Sequence, residues 1–168
     1  MTRLHAQPYD ISANGFYFES QEAFQKLAKA NRNDYGDPVE EYKIQFIDGE
    51  AIDLELAKAI DLNQANYARF FDLVEELEDY QKVRLIIAMG ECAYAVELNV
   101  EAIEDIDLDI YEIDTLKELA EQFVDEGLYG DIPDRLSAYL DYDAIARDLS
   151  IDYATTDIAG TTYAYRCA

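Results

Sequence analysis

Two adjoining stretches decide the fold class of this chain, Ile106–Ile113 (IDLDIYEI) and Asp114–Gly127 (DTLKELAEQFVDEG). In the first, apolar and polar residues alternate, which predicts a half-buried β-strand. In the second, apolar residues recur at three- and four-residue steps, which predicts an amphipathic helix. Thr115 and Glu118 form a capping-box pattern at its start, and Gly127 is typical of the position just past a helix end. Strands and helices therefore both contribute to the fold.

The remaining sequence repeats this mixture without a regular β-α-β order. Alternating or aromatic stretches predict strands over residues 2–9, 16–18 and 42–46, and two short strands within residues 155–165. Caps and apolar stripes predict helices over about 20–32, 53–60, 64–79, 133–140 and 141–150. The apolar stretches 83–89 and 92–98 flank Gly90-Glu91 and predict a hairpin. We therefore expect an α+β fold with short, mainly antiparallel sheets and amphipathic helices.

The composition is strongly acidic. The 168 residues include 37 Asp and Glu but only 13 Lys and Arg, which gives a formal net charge of −24 at pH 7. A protein binds nucleic acid by neutralising phosphates with Lys and Arg, so the composition excludes direct nucleic-acid binding over most of the surface. The same reasoning argues against anionic membranes. Half of the residues are hydrophobic, which indicates a folded protein in spite of the charge.

The sequence shows no signal for a membrane or for secretion. No apolar run approaches the ~20 residues of a membrane-spanning helix, and the N-terminus lacks the apolar segment of a signal peptide. We interpret Cys92 and Cys167 as thiols, because they lie far apart in sequence and in no metal-ligand spacing. These observations together predict a soluble, cytoplasmic protein.

Residues suited to catalysis or metal binding are scarce. The single histidine, His5, lies inside a predicted strand and is interpreted as a structural or an exposed imidazole, and the seven glycines are too scattered to form a phosphate loop. The acids of residues 105–109 match the first positions of a calcium-binding EF-hand loop. However, Ile110 stands where that loop needs glycine and Leu116 where it needs glutamate. We therefore expect no catalytic residue, no cofactor and no metal site.

The acidic residues are denser in the second half of the chain. Residues 1–84 carry a net charge of −8, and residues 85–168 carry −16. Glu118, Glu121 and Asp125 share the face of the predicted helix opposite its apolar stripe. Duplex DNA carries one negative charge per roughly 1.7 Å, so 24 charges match about 40 Å of duplex, or about 12 base pairs. Imitation of DNA is therefore one hypothesis, and a surface that only aids solubility is the other.

Several motifs bear on this choice. Gly130–Leu136 (GDIPDRL) and Tyr139–Leu149 (YLDYDAIARDL) resemble the C-terminal signature of the ArdA antirestriction family nearly position for position. Glu40–Phe46 is similar to an acidic and aromatic strand in the N-terminal part of that family. Phe16–Phe18 stands where many members have another aromatic stretch. The resemblance covers most of the chain, and it is most specific over residues 114–153.

The resemblance implies a DNA mimic that inhibits type I restriction–modification enzymes by occupying their DNA-binding groove. It also implies an elongated chain of three small domains that dimerises, that has no catalytic site or cofactor, and that is often encoded on mobile elements. We place the domains at residues 1–61 (N-terminal, α+β), 62–100 (central) and 101–168 (C-terminal, acidic, with the signature). The acids expected to form the mimicking surface are Glu101, Glu104, Asp105, Asp107, Asp109, Glu112, Glu118, Glu121, Asp125, Glu126, Asp131, Asp134, Asp143 and Asp148.

Other signature residues are interpreted as structural. Tyr139, Tyr142, Ile145 and Leu149 follow helical spacing, which predicts core positions, and Arg147 is expected to pair with Asp143 or Asp148.

Two further functions stay open. One is an acidic interaction module for another basic DNA-binding protein, and the other is a carboxylate- or metal-dependent enzyme. An assay with a type I enzyme separates the first from antirestriction, and a pocket with converging acids would favour the second.

Overall fold

The computed structural model describes residues 1–167, which fall into two compact units, one from Met1 to Ile106 and one from Asp107 onward. Each unit contains a three-stranded antiparallel sheet together with helices, so the predicted α+β fold is confirmed. The division into three domains at 1–61, 62–100 and 101–168 stays a prediction.

The sheet of the first unit has its strands in the order β2-β1-β3. In chain order they are β1 (Arg3–Pro8), β2 (Phe16–Phe18) and β3 (Tyr42–Asp48). The middle strand buries Leu4 and Ala6 on one face, as its alternation predicts. Helix α1 (Gln21–Ala30) follows β2 and begins after Ser20, whose hydroxyl oxygen accepts a hydrogen bond from the backbone N–H of Ala23. The predicted strands and the predicted cap are confirmed.

Four more helices complete the first unit: α2 (Ala51–Ala59), α3 (Tyr67–Glu76), α4 (Asp79–Ile86) and α5 (Val100–Glu104). The rings of Phe18, Phe24 and Tyr67 pack against one another with centroids 4.4–5.7 Å apart. Helix α3 is shorter than the helix predicted over 64–79, because the chain is extended at Leu77 and α4 begins directly afterwards. Helix α5 was not predicted.

The predicted hairpin over residues 83–98 is wrong. Helix α4 runs to Ile86, a π-helical turn occupies Ile87–Glu91, and residues 92–98 contain no strand. The helix begins with a capping box in which the Glu78 backbone N–H donates to the Gln81 side chain. From Gln81 to Ala88 all residues except Arg84 are buried, so no polar face marks the helical period. Periodicity alone cannot distinguish such a helix from a buried strand.

The second unit consists of β4 (Leu108–Glu112), α6 (Leu116–Asp125), α7 (Asp134–Ser137), α8 (Tyr142–Leu149), β5 (Ala154–Ile158) and β6 (Thr161–Cys167). Strand β6 lies between β4 and β5 and pairs antiparallel with both. The predicted strand, the capped helix and the two C-terminal strands are confirmed, whereas α7 is only one turn of the helix predicted over 133–140. The core consists of Ile113, Leu119, Phe123, Tyr153 and Ala164.

Two further expectations concern the whole chain. None of the helices among the described residues is both long enough and apolar enough to cross a membrane. The interpretation of Cys92 and Cys167 as thiols is wrong, because both are disulfide-bonded and the described residues include no free cysteine. Cysteine spacing along a sequence does not tell where folding places the sulfur atoms.

Candidate functional site

The acids predicted to form a functional surface lie almost entirely at the surface of the molecule. Thirteen of the fourteen are exposed, and Asp109 is half-buried. Glu101, Glu104 and Asp105 belong to the first unit, and the other eleven belong to the second. From Asp107 onward the sequence holds 15 acids and four bases, a net charge of −11. The second unit therefore carries a strongly negative surface.

Helix α6 shows how the sequence places these acids. Its N-cap Thr115 accepts a hydrogen bond from the Glu118 backbone N–H at 3.2 Å, while the Glu118 carboxylate accepts one from the Asp114 backbone N–H at 2.8 Å. Glu121 and Asp125 continue the exposed face, opposite the buried core residues. With a rise of about 1.5 Å per residue, the three acids lie about 4.5 and 6 Å apart along the helix axis.

Asp109 is half-buried, unlike the other predicted acids, and internal contacts occupy its carboxylate. It lies opposite Arg166 on β6 and forms an ion pair with it, and the Tyr153 hydroxyl donates to it at 3.4 Å. Burial raises the pKa of Tyr153 to about 12, although the nearby Arg166 opposes this shift. The hydrogen bond with Asp109 raises the pKa of Arg166. Asp109 therefore holds β4 to β6 and offers less charge to a partner.

Glu104 and Asp143 contact side chains of another helix. The Glu104 carboxylate accepts hydrogen bonds from the Gln81 side chain and the Tyr80 hydroxyl, and these bonds lower its pKa. They connect α5 to α4. Asp143 lies 3.2 Å from the Lys117 ammonium in an exposed ion pair, which adds little stability. Glu104 thus has a structural role in addition to its charge.

The signature segment differs in part from its interpretation. Asp141 caps α8 by accepting a hydrogen bond from the Ala144 backbone N–H, as the sequence predicts. Tyr139 is not a core residue, because 83% of it is exposed. Tyr142, Ile145 and Leu149 are half-buried, and helix α8 buries no residue fully. Helical spacing identifies a common face but does not tell whether another element covers it.

The expected pairing of Arg147 is also wrong. Within residues 1–167, no ion pair joins Arg147 to Asp143 or Asp148, and Lys117 takes Asp143 instead. Lys117 lies on α6, and α6 packs against α8, which carries Asp143. The expected partners of Arg147 were acids on its own helix, because sequence spacing identifies only such neighbours. The observed ion pair of Lys117 and Asp143 instead joins two helices.

One acidic depression of about 370 Å³ lies beside α6, lined by Glu112, Asp114, Glu118, Thr161 and Thr162 among others. The Glu118 carboxylate there is already bonded to the backbone of Asp114. In the described part of the chain, no three His, Cys, Asp or Glu side chains are arranged to hold a metal ion. His5 lies on β1, and its ring packs against Tyr17 at 4.7 Å. The exposed carboxylates of this surface can pair with cations and accept hydrogen bonds.

Sequence reasoning missed a buried ion pair in the first unit. The Lys82 ammonium on α4 lies 2.8 Å from the Asp53 carboxylate on α2, and both side chains are at most 5% exposed. The Thr2 hydroxyl also donates to Asp53, at 3.4 Å. No local pattern in the sequence marks this pair. The signs it leaves in the sequence are that Asp53 lies between Ile52 and Leu54 and that Lys82 directly precedes the apolar run that begins at Val83.

Comparison with models of protein families identifies a match for this chain. Residues 14–163 match the model of a family described as antirestriction protein (ArdA). No individually curated protein matches the chain. The family match covers most of both compact units and the whole signature segment.

Proposed function

The chain belongs to the ArdA antirestriction protein family, and from this premise we propose that it inhibits type I restriction–modification enzymes as a DNA mimic. In this proposal it occupies the DNA-binding groove of the enzyme by charge complementarity. The observation that carries the proposal is the second unit, where 14 of 15 acids are exposed against only four bases. No bond is made or broken, and no cofactor takes part.

The physical basis is competition for the same cations. A DNA-binding groove presents Lys and Arg side chains that neutralise phosphates and release counterions. Exposed acidic residues that follow one another at about 4.5 and 6 Å along the axis of α6 offer such a groove a series of negative charges. Self-repulsion among like charges destabilises a compact protein, and binding to a basic groove relieves it. A basic partner reduces this repulsion, whereas nucleic acid is itself negatively charged and would add to it.

Further parts of the proposal come from what membership of the family implies. The protein acts as a homodimer in the cytoplasm, and it binds the enzyme rather than DNA. The acids of the surface act together, because each exposed ion pair contributes only about 0.2–1 kcal/mol. Inhibition is accordingly distributed over many carboxylates rather than centred on one.

The test is to neutralise acids in increasing number and to measure inhibition of DNA cleavage and of DNA methylation by a type I enzyme. The variant Glu121→Gln should change the inhibition constant by less than about fivefold. The quadruple variant Glu121→Gln, Asp125→Asn, Asp131→Asn, Asp148→Asn should weaken it by about fourfold to several hundredfold and lessen its dependence on salt.

A matched variant controls for total charge. It replaces four exposed acids of the first unit, Glu22→Gln, Asp34→Asn, Asp37→Asn and Glu41→Gln, and we expect a smaller loss. Equal losses in the two quadruple variants would show that net charge matters and not the proposed surface. A single substitution that abolished inhibition in a folded protein would contradict the distributed contact. Inhibition of another basic DNA-binding protein alone would favour the more general interaction module.

A further inference from the structure

Apolar and aromatic side chains lie exposed between α6 and α8, in residues 128–140, which we call the aromatic segment. Tyr139 is 83% exposed, Leu128 58%, Tyr129 52% and Leu136 48%. The backbone here is a succession of turns around the single helical turn α7. Four large exposed side chains within thirteen consecutive residues concentrate apolar surface in one part of the chain, which makes this segment a candidate surface for a partner.

The charges around the aromatic segment indicate what kind of partner fits. Between residues 125 and 148 the chain carries seven acids and only two bases, Arg135 and Arg147. A second copy docking on this segment would bring seven acids against seven, and like charges across an interface disfavour binding. A partner surface rich in Lys and Arg would place opposite charges across the interface, which favours binding. Charge complementarity therefore selects a basic protein surface as the occupant.

Arginine is the side chain that recognises both components of this segment. Its guanidinium group pairs with carboxylates and also lies over aromatic rings. The chain contains two such contacts of its own, with Arg3 over the ring of Tyr17 at 4.8 Å and Arg166 over that of Tyr153 at 5.3 Å. Arginine likewise contributes to contacts with the rings of nucleic-acid bases. Exposed tyrosines among aspartates thus offer an arginine the two features that it finds on DNA, a ring and an anion.

We propose that Tyr129 and Tyr139 receive arginine side chains of the enzyme's DNA-binding groove on their ring faces, in the role that bases have in DNA. The neighbouring Asp131, Asp134 and Asp141 pair with the same or adjacent cations. This inference rests on the proposed function and adds an uncharged component to it. Replacing these tyrosines should lower the affinity for the enzyme without changing the salt dependence of binding, because a neutral side chain releases no counterions.

The experiment measures the affinity of the purified chain for a type I enzyme, by competition with labelled DNA, over a range of salt concentrations. Tyr139→Ala should weaken binding by about two- to tenfold, and Tyr129→Ala with Tyr139→Ala by more, with an unchanged salt slope. Tyr139→Phe keeps the ring and should bind like the wild type. Tyr139→Leu keeps apolar surface without a ring and should bind like Tyr139→Ala.

The matched control is Tyr35→Ala in the first unit, because Tyr35 is also 83% exposed and lies between Asp34 and Asp37. It should bind like the wild type. Full affinity in Tyr139→Leu, or an equal loss in Tyr35→Ala, would overturn the proposal while leaving DNA mimicry intact. A shift of the monomer–dimer equilibrium in Tyr139→Ala, with unchanged affinity for the enzyme, would instead assign the segment to a second copy. If the wild type does not compete with DNA at all, the proposed function fails together with this inference.

Discussion

The Lys82 ammonium and the Asp53 carboxylate lie 2.8 Å apart, and both side chains are almost fully buried. Taking two charges out of water costs several kcal/mol each, and their mutual attraction offsets this cost only while both are present. Lys82→Met should therefore destabilise the first unit by about 3–5 kcal/mol, because it leaves Asp53 charged and unpaired. Urea unfolding followed by circular dichroism measures this loss.

The exposed pair of Lys58 and Glu55 supplies the matched control, since its atoms lie 2.9 Å apart on the surface of α2. Lys58→Met should change stability by no more than about 1 kcal/mol. The double variant Lys82→Met, Asp53→Leu should recover most of the loss, because an apolar pair replaces a buried ion pair at little cost. If Lys82→Met and Lys58→Met had equal effects, burial would not be the cause.

Helix α6 depends on its N-cap for the position of the acids that it carries. The Thr115 hydroxyl oxygen accepts a hydrogen bond from the Glu118 backbone N–H, which otherwise has no partner inside the helix. Thr115→Ala should lower the free energy of unfolding by about 1 kcal/mol, within a range of about 0.5–2. Thr115→Ser retains the oxygen and should stay close to the wild type. Equal stability of the Ala and Ser variants would show that the cap contributes nothing.

Elements with a local signal in the sequence could be predicted. Ser20, Thr115 and Asp141 all accept the predicted capping bonds, because capping depends on residues only three positions apart. Helix α4 lacked a visible period because its residues are buried on nearly every side. The exposure of Tyr139 and the pairing of Lys117 with Asp143 depend on which elements pack together. Short-range patterns do not contain that information, so these parts of the candidate site required the structure.

At the scale of the whole molecule, one set of carboxylates has two opposing effects. A net charge of −24 destabilises the folded chain by self-repulsion, yet in the proposed function it attracts a basic groove. Raising the ionic strength shortens the screening length, from about 10 Å at 0.1 M to about 3 Å at 1 M. Salt should therefore stabilise the protein and weaken its inhibition at the same time. For a protein with a nearly neutral surface there is no reason to expect salt to raise stability and weaken binding together.

We predict that the thermal midpoint rises by at least about 2–4 °C between 0.1 M and 1 M NaCl, which corresponds to about 1 kcal/mol for a chain of this size. Over the same range the inhibition of a type I enzyme should fall steeply. The quadruple variant Glu121→Gln, Asp125→Asn, Asp131→Asn, Asp148→Asn should begin with a higher midpoint and respond less to salt in both measurements, because it has less repulsion to screen and fewer charges to offer. A midpoint that falls with salt, or a variant less stable than the wild type at low salt, would mean that these acids stabilise the fold through internal contacts. Internal contacts would then explain the high density of acids without a basic partner.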